Sequence, residues 1–139
     1  MGYSDQKFYA RPQTMQADSG VATGTFTAGA ACNQPLAFAL PKFDRRTKVT
    51  NVKVVVKTAS AANTTAVTLN FLNGTSTFAV VAITPTTATA GSEVAATMTL
   101  ANATFSAASG PSVTVLGTAT ASAQTYGAHE VFFEVQELP

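Results

Sequence analysis

Residues 66–83 read AVTLNFLNGTSTFAVVAI. Two apolar runs flank Asn73-Gly74, a pair that readily accepts positive φ and is the strongest short hairpin signal. Val67, Leu69 and Phe71 alternate on the first arm, and Phe78, Val80 and Ala82 on the second. That spacing predicts a β-hairpin with one buried face. The preceding stretch, KVTNVKVVVKT at 48–58, follows the same rule. Val52, Val54 and Val56 fall on one face; Asn51, Lys53, Val55 and Lys57 fall on the other. Period two with β-branched residues suits a half-buried antiparallel strand. HEVFFEVQEL at 129–138 repeats it, with Val131, Phe133 and Val135 opposite Glu130, Phe132, Glu134 and Gln136.

Weaker strand signals fill the rest. Residues 20–30 alternate small residues and Thr around Phe26. Residues 34–41 are apolar and carry Pro35 and Pro41 near their ends, which limits them to a short or edge strand. Residues 94–105 place Val94, Ala96, Met98 and Leu100 on one face, and 112–122 form a candidate weakened by Gly117. Residues 84–93 read as a connecting loop and 123–127 as a turn. Thr, Val, Gly and Pro among the alanines argue against long helices. The expectation is all-β: a single-domain antiparallel β-sandwich of about eight strands over residues 20–139, with a jelly roll the preferred topology.

The first nineteen residues, MGYSDQKFYARPQTMQADS, stand apart. Gly2, Ser4 and Pro12 break any helical pattern, and the segment does not read as a strand of the body. We expect residues 1–19 to be an extended N-terminal arm. Tyr3, Phe8, Tyr9 and Arg11 are its anchor candidates, because aromatics and Arg dominate interface energetics. A second candidate is KFDRRTK at 42–48, which carries four of the eight basic residues. A solvated loop is the preferred reading there. The functional alternative is a patch in which Lys42, Arg45 and Arg46 meet an acidic partner.

Only 11% of the 139 residues are charged, less than half the usual share of about 25%. A chain held inside an assembly needs less surface charge than a free monomer. Net charge is +1, which gives no bulk attraction to nucleic acid or anionic lipid. All eight basic residues lie within 7–57, whereas Glu93, Glu130, Glu134 and Glu137 lie beyond. Pairing of these halves within one fold is preferred over pairing between subunits, with Glu130 and Glu134 set against Lys53 and Lys57. No apolar run approaches the roughly 18 residues of a membrane span. Polar residues follow Met1, so no secretory signal is expected, and synthesis in a reducing cytoplasm is.

No catalytic constellation is legible. His129 is the sole histidine, and its neighbour Glu130 points to the opposite face of a strand. Glu130 and Glu134 would stand about 13 Å apart on a strand, beyond glycosidase separations. Cys32 is alone and reads as a small buried filler. No phosphate-binding, dinucleotide, zinc or calcium motif occurs. We therefore expect no catalytic residues, no metal and no cofactor; a hydrolase on a β scaffold is the least favoured class.

The opening GYSDQKFYARPQTMQADSG, followed by a small Ala/Thr/Val-rich β body, resembles the cement (decoration) proteins of tailed bacteriophage capsids, nearest those of the short-tailed Bordetella phage group. The resemblance covers the whole length in size and composition and is sharpest in the first dozen residues. It implies a jelly-roll module on the outer capsid surface of a virion, made in the host bacterial cytoplasm. Such a module bridges neighbouring subunits of the major capsid protein as a homo-oligomer, a dimer favoured over a trimer, with no nucleic acid or membrane partner. The alternative is a carbohydrate- or receptor-binding β-sandwich module of a phage fibre. The absence of Trp weakens it, because such sites favour exposed aromatic platforms.

Overall fold

The computed structural model describes strand segments within residues 13–35, residues 40, 42–59, 67–84, 88–117, 124–125 and 129–139, with side chains for 40, 42–59, 67–84, 88–114 and 129–139. In chain order the strands are β1 (Gln13–Ala17), β2 (Thr25–Phe26), β3 (Cys32–Pro35), β4 (Thr47–Val56), β5 (Val67–Asn73), β6 (Ser76–Ile83), β7 (Glu93–Ala95), β8 (Thr97–Met98), β9 (Thr104–Phe105), β10 (Ser112–Gly117), β11 (Gln124–Thr125) and β12 (His129–Glu137). A 3-10 turn at Leu100–Asn102 is the one helical element among the described residues.

Ten of the strands form a β-sandwich of two antiparallel sheets, and β2 and β11 pair as a separate two-stranded ribbon. The first has the order β1-β12-β4-β7, with β9 also on β4. The second has the order β3-β10-β5-β6-β8. The pairing is nested: β1 with β12, β2 with β11, β3 with β10, β4 with β7 and β9, and β5 with β6. The expected turn at 123–127 instead contains the short strand β11. Pro35 does lie on an edge strand, β3, where a missing ladder donor is tolerated.

The inner faces pack together as one apolar cluster. Val52, Val54, Val56, Val131 and Phe133 come from the first sheet; Val67, Leu69, Phe71, Val81 and Ile83 come from the second. Phe71 meets Phe133 edge to face at 5.8 Å, and Phe78 meets Phe105 the same way at 5.2 Å, both across the sandwich. Each buried Val, Leu or Phe contributes about 1.5–3 kcal/mol, and each edge-to-face pair about 0.5–1.5 kcal/mol more.

Two bulges reset the alternation. On β4, Glu134 faces Asn51 but Val135 faces Val49, so Thr50 is the extra residue. Its hydroxyl donates back to the Glu134 carbonyl at 3.2 Å. The bulge puts Val49 on the buried face with Val52 despite their odd spacing. In the β5–β6 hairpin, Phe71 faces Ala79 but Leu72 faces Thr77, leaving Phe78 as the extra residue. Phe78, Ala79, Val81 and Ile83 are consequently buried. The expected face of Phe78, Val80 and Ala82 is corrected: Val80 is half-buried and Ala82 exposed. The turn is also shifted by one residue. Asn73 and Ser76 close the ladder, and Gly74 carries the positive φ of 60° at the first loop position, as a type II′ turn requires.

Freed from the turn, the Asn73 side chain clamps the end of the sandwich. Its Nδ2 donates to the Asn102 carbonyl at 3.0 Å and the Thr104 carbonyl at 2.8 Å. Asn102 Nδ2 in turn donates to the Thr77 carbonyl at 2.9 Å. The expected single strand over 94–105 is divided. Its chain pairs with β4 as β7, with β6 as β8, and returns to β4 as β9. Val94, Ala96 and Met98 pack on the core, whereas Leu100 is exposed.

The arm expectation needs one correction. Residues 13–17 form β1, paired with β12 from Gln13 opposite Val135 to Ala17 opposite Val131. QTMQA is itself a period-two pattern, with Met15 opposite buried Phe133. Pro12 directly precedes it, a position where proline leaves the ladder intact. Without β1, the apolar β12 would be a sheet edge.

Candidate functional site

Among the sequence candidates, Tyr3, Phe8, Tyr9 and Arg11 lie outside the described residues, as does the Cys32 side chain. The structure does place Lys42, Arg45 and Arg46. They belong to the short connection that leads into β4, and all three are exposed, with Asp44 among them.

This connection is anchored by the residue between the charges. Phe43 is only 4% exposed, and its ring meets Phe105 edge to face at 5.4 Å. Its backbone N–H donates to the Ser109 carbonyl at 2.8 Å, and its carbonyl accepts from the Ala108 N–H at 2.7 Å. Ala108 adopts a φ of 62°, a left-handed conformation uncommon for a residue with a Cβ. Two further bonds fix the rest. The buried Thr47 hydroxyl donates to the Arg45 carbonyl at 2.8 Å, and the Leu138 N–H donates to the Arg46 carbonyl at 2.8 Å. A pinned backbone leaves mainly side-chain rotamer entropy to be lost when these cations bind. Arg offers planar, bidentate hydrogen bonds to carboxylates.

The second feature is on the outer face of the first sheet. Asn51, Lys53, Phe132 and Glu134 line a shallow depression of about 110 Å³. The Lys53 ammonium stands 5.7 Å from the Phe132 ring centre and 3.3 Å from the Glu93 carboxylate. Sequence reasoning placed Phe132 on the outer face but did not join it to these neighbours, because adjacency across strands needs the register. The predicted charge pairing is half realised. Lys57 meets Glu130 at 3.5 Å, but Lys53 pairs with Glu93 rather than Glu134. Both pairs join the basic half of the chain to the acidic half within one fold. The Lys53–Glu93 pair is exposed on both sides and is worth about 0–1 kcal/mol, whereas in the other pair only Lys57 is exposed and Glu130 is largely covered.

His129 is fully buried at the start of β12, opposite Val56. Among the described residues, no group of three His, Cys, Asp or Glu side chains could hold a metal ion, and no helix is long and apolar enough to cross a membrane. No family model, curated protein or solved structure matches the chain.

Proposed function

We propose that this chain is a structural, non-enzymatic capsid cement protein. In this reading it binds the outer surface of a viral shell and bridges neighbouring major capsid subunits as a homo-oligomer. The nested strand order supports reading the sandwich as a jelly roll, in which one long antiparallel double ribbon wraps into two sheets. The low charge and the resemblance of the opening segment point the same way.

The observation that carries the proposal is the anchored cationic connection. Lys42, Arg45 and Arg46 are exposed on a backbone fixed from Phe43, Ala108, Ser109 and Leu138. Cations displayed on a fixed backbone complement an acidic partner surface and set its register. The N-terminal residues Tyr3, Phe8, Tyr9 and Arg11 would add a second contact, ordered on binding. The test is occupancy on purified shells lacking this chain, read by co-sedimentation. Replacing Lys42, Arg45 and Arg46 together by Ala is expected to reduce occupancy at least tenfold, and deleting residues 2–12 to weaken it further. Unchanged occupancy in both variants contradicts the proposal.

The fibre-module alternative gains one specific observation, the half-buried Phe132 beside Asn51, Lys53 and Glu134. A sugar could stack on the ring only after Lys53 moved off it. Clear glycan-array binding that Phe132→Ala abolishes would favour this second reading.

A further inference from the structure

Asn73 precedes Gly74, and none of the other asparagines precedes a glycine. The fold leaves one side of this pair open and ties down the other. Gly74, Thr75 and Ser76 form the exposed tip of the β5–β6 hairpin. No heavy atom lies within 4 Å of the place a Gly74 Cβ would occupy, so the approach to its backbone nitrogen is unobstructed. Among the described residues, the Gly74 N–H donates to no carbonyl. The Asn73 amide, by contrast, is held through Nδ2 by the Asn102 and Thr104 carbonyls at 3.0 and 2.8 Å.

We propose that Asn73 is a self-modification site: the Gly74 nitrogen converts its side-chain amide to a carboxylate, and the conversion irreversibly releases the clamp at this end of the sandwich. The Gly74 nitrogen gives up its proton and attacks Asn73 Cγ. A new C–N bond closes a cyclic imide, the Cγ–Nδ2 bond breaks, and Nδ2 leaves as ammonia after taking up a proton. Water then opens the imide. Opening at Cγ gives aspartate, and opening at the main-chain carbonyl gives isoaspartate. The sum is amide plus water to carboxylic acid plus ammonia, with no oxidant or reductant.

The clamp sets the rate. Ring closure needs Cγ nearly eclipsed with the main-chain carbonyl carbon, at least about 60° from any staggered rotamer. That turn takes Nδ2 off both carbonyls. Two neutral hydrogen bonds bias the side chain against it by roughly thirtyfold. Once formed, either product sets a carboxylate where a donor faced two carbonyl oxygens, so acceptor meets acceptor. Isoaspartate also reroutes the main chain through Cβ, which disturbs the pairing of residues 73 and 76. The lost contacts tie the second sheet's hairpin to the chain entering β9, where Thr104 and Phe105 pair with Lys48 and Thr47 of the first sheet. The inference does not depend on the cement reading.

The test incubates the full chain at mildly alkaline pH, folded and in urea, and follows each asparagine by peptide mass spectrometry. Asn73 is expected to be the first modified in both states, about thirtyfold more slowly when folded. Asn102→Ala, which removes the bond to the Thr77 carbonyl, is expected to speed the reaction in the folded chain. In urea, where folding plays no part, Gly74→Ala is expected to slow it severalfold. Aged wild type, with the modified fraction separated by ion exchange, is expected to unfold at lower urea than the unmodified fraction. Equal rates in the folded and unfolded chain, earlier modification at Asn51, Asn70 or Asn102, or an unchanged urea midpoint overturns the inference. So does a Gly74→Ala chain that reacts as fast as wild type in urea, or an Asn102→Ala chain no faster than wild type when folded.

Discussion

Phe43 links the core to the charged surface, so its truncation tests both. Phe43→Ala removes a ring that is 4% exposed and packed edge to face on Phe105. Large-to-small changes of this type cost about 3–5 kcal/mol. The position lies at the rim of the core, which favours the lower end, and about 0.5–1.5 kcal/mol of the loss belongs to the aromatic pair. The expected loss is therefore about 3 kcal/mol, or a fall in Tm of about 12 °C at roughly 4 °C per kcal/mol for a chain this long. Urea unfolding followed by fluorescence or circular dichroism reads the first figure, and calorimetry the second. Phe43→Leu keeps most of the apolar volume and should lose only about 1–2 kcal/mol. Phe43→Ala should also weaken partner binding although Lys42, Arg45 and Arg46 remain, because their backbone is no longer pinned. A loss under about 1 kcal/mol, or full binding by Phe43→Ala, would refute the view that the connection is pre-organised by the core.

Other expectations follow from particular contacts. Asn73→Ala strands two carbonyls, those of Asn102 and Thr104, and should cost about 2 kcal/mol in denaturant unfolding at about 1 kcal/mol per net hydrogen bond. Ala79→Asp should unfold the protein whereas Ala82→Asp should change stability by under about 0.5 kcal/mol; the reverse order would show that the hairpin bulge is misplaced. Ala108→Gly should raise stability by about 0.5 kcal/mol in thermal unfolding, since glycine accepts the φ of 62° without strain but loses more entropy on folding.

What the sequence made legible was local pattern. The alternation of Val52, Val54 and Val56, and of Val131, Phe133 and Val135, suffices to define the two longest strands and their buried faces. What it hid was set by partners. The bulges at Thr50 and Phe78 shift which residues are buried, and bulges arise from pairing across strands rather than from local propensity. Gln13–Ala17 was obscured because its short polar–apolar alternation gains meaning only beside β12. In the candidate site, the cations were visible as a charge run, but the anchoring role of Phe43 depends on Ser109 and Phe105, more than sixty residues away. The Phe132 depression likewise needed the β4–β12 register.

The most direct test of the cement reading is a cryo-EM map of the particle that carries this chain. The account predicts a β-sandwich on the outer shell surface, spanning the boundary between major capsid subunits, with Lys42, Arg45 and Arg46 against acidic shell residues. Density for the chain in a tail fibre instead, or a shell whose subunit boundaries it never touches, would contradict it.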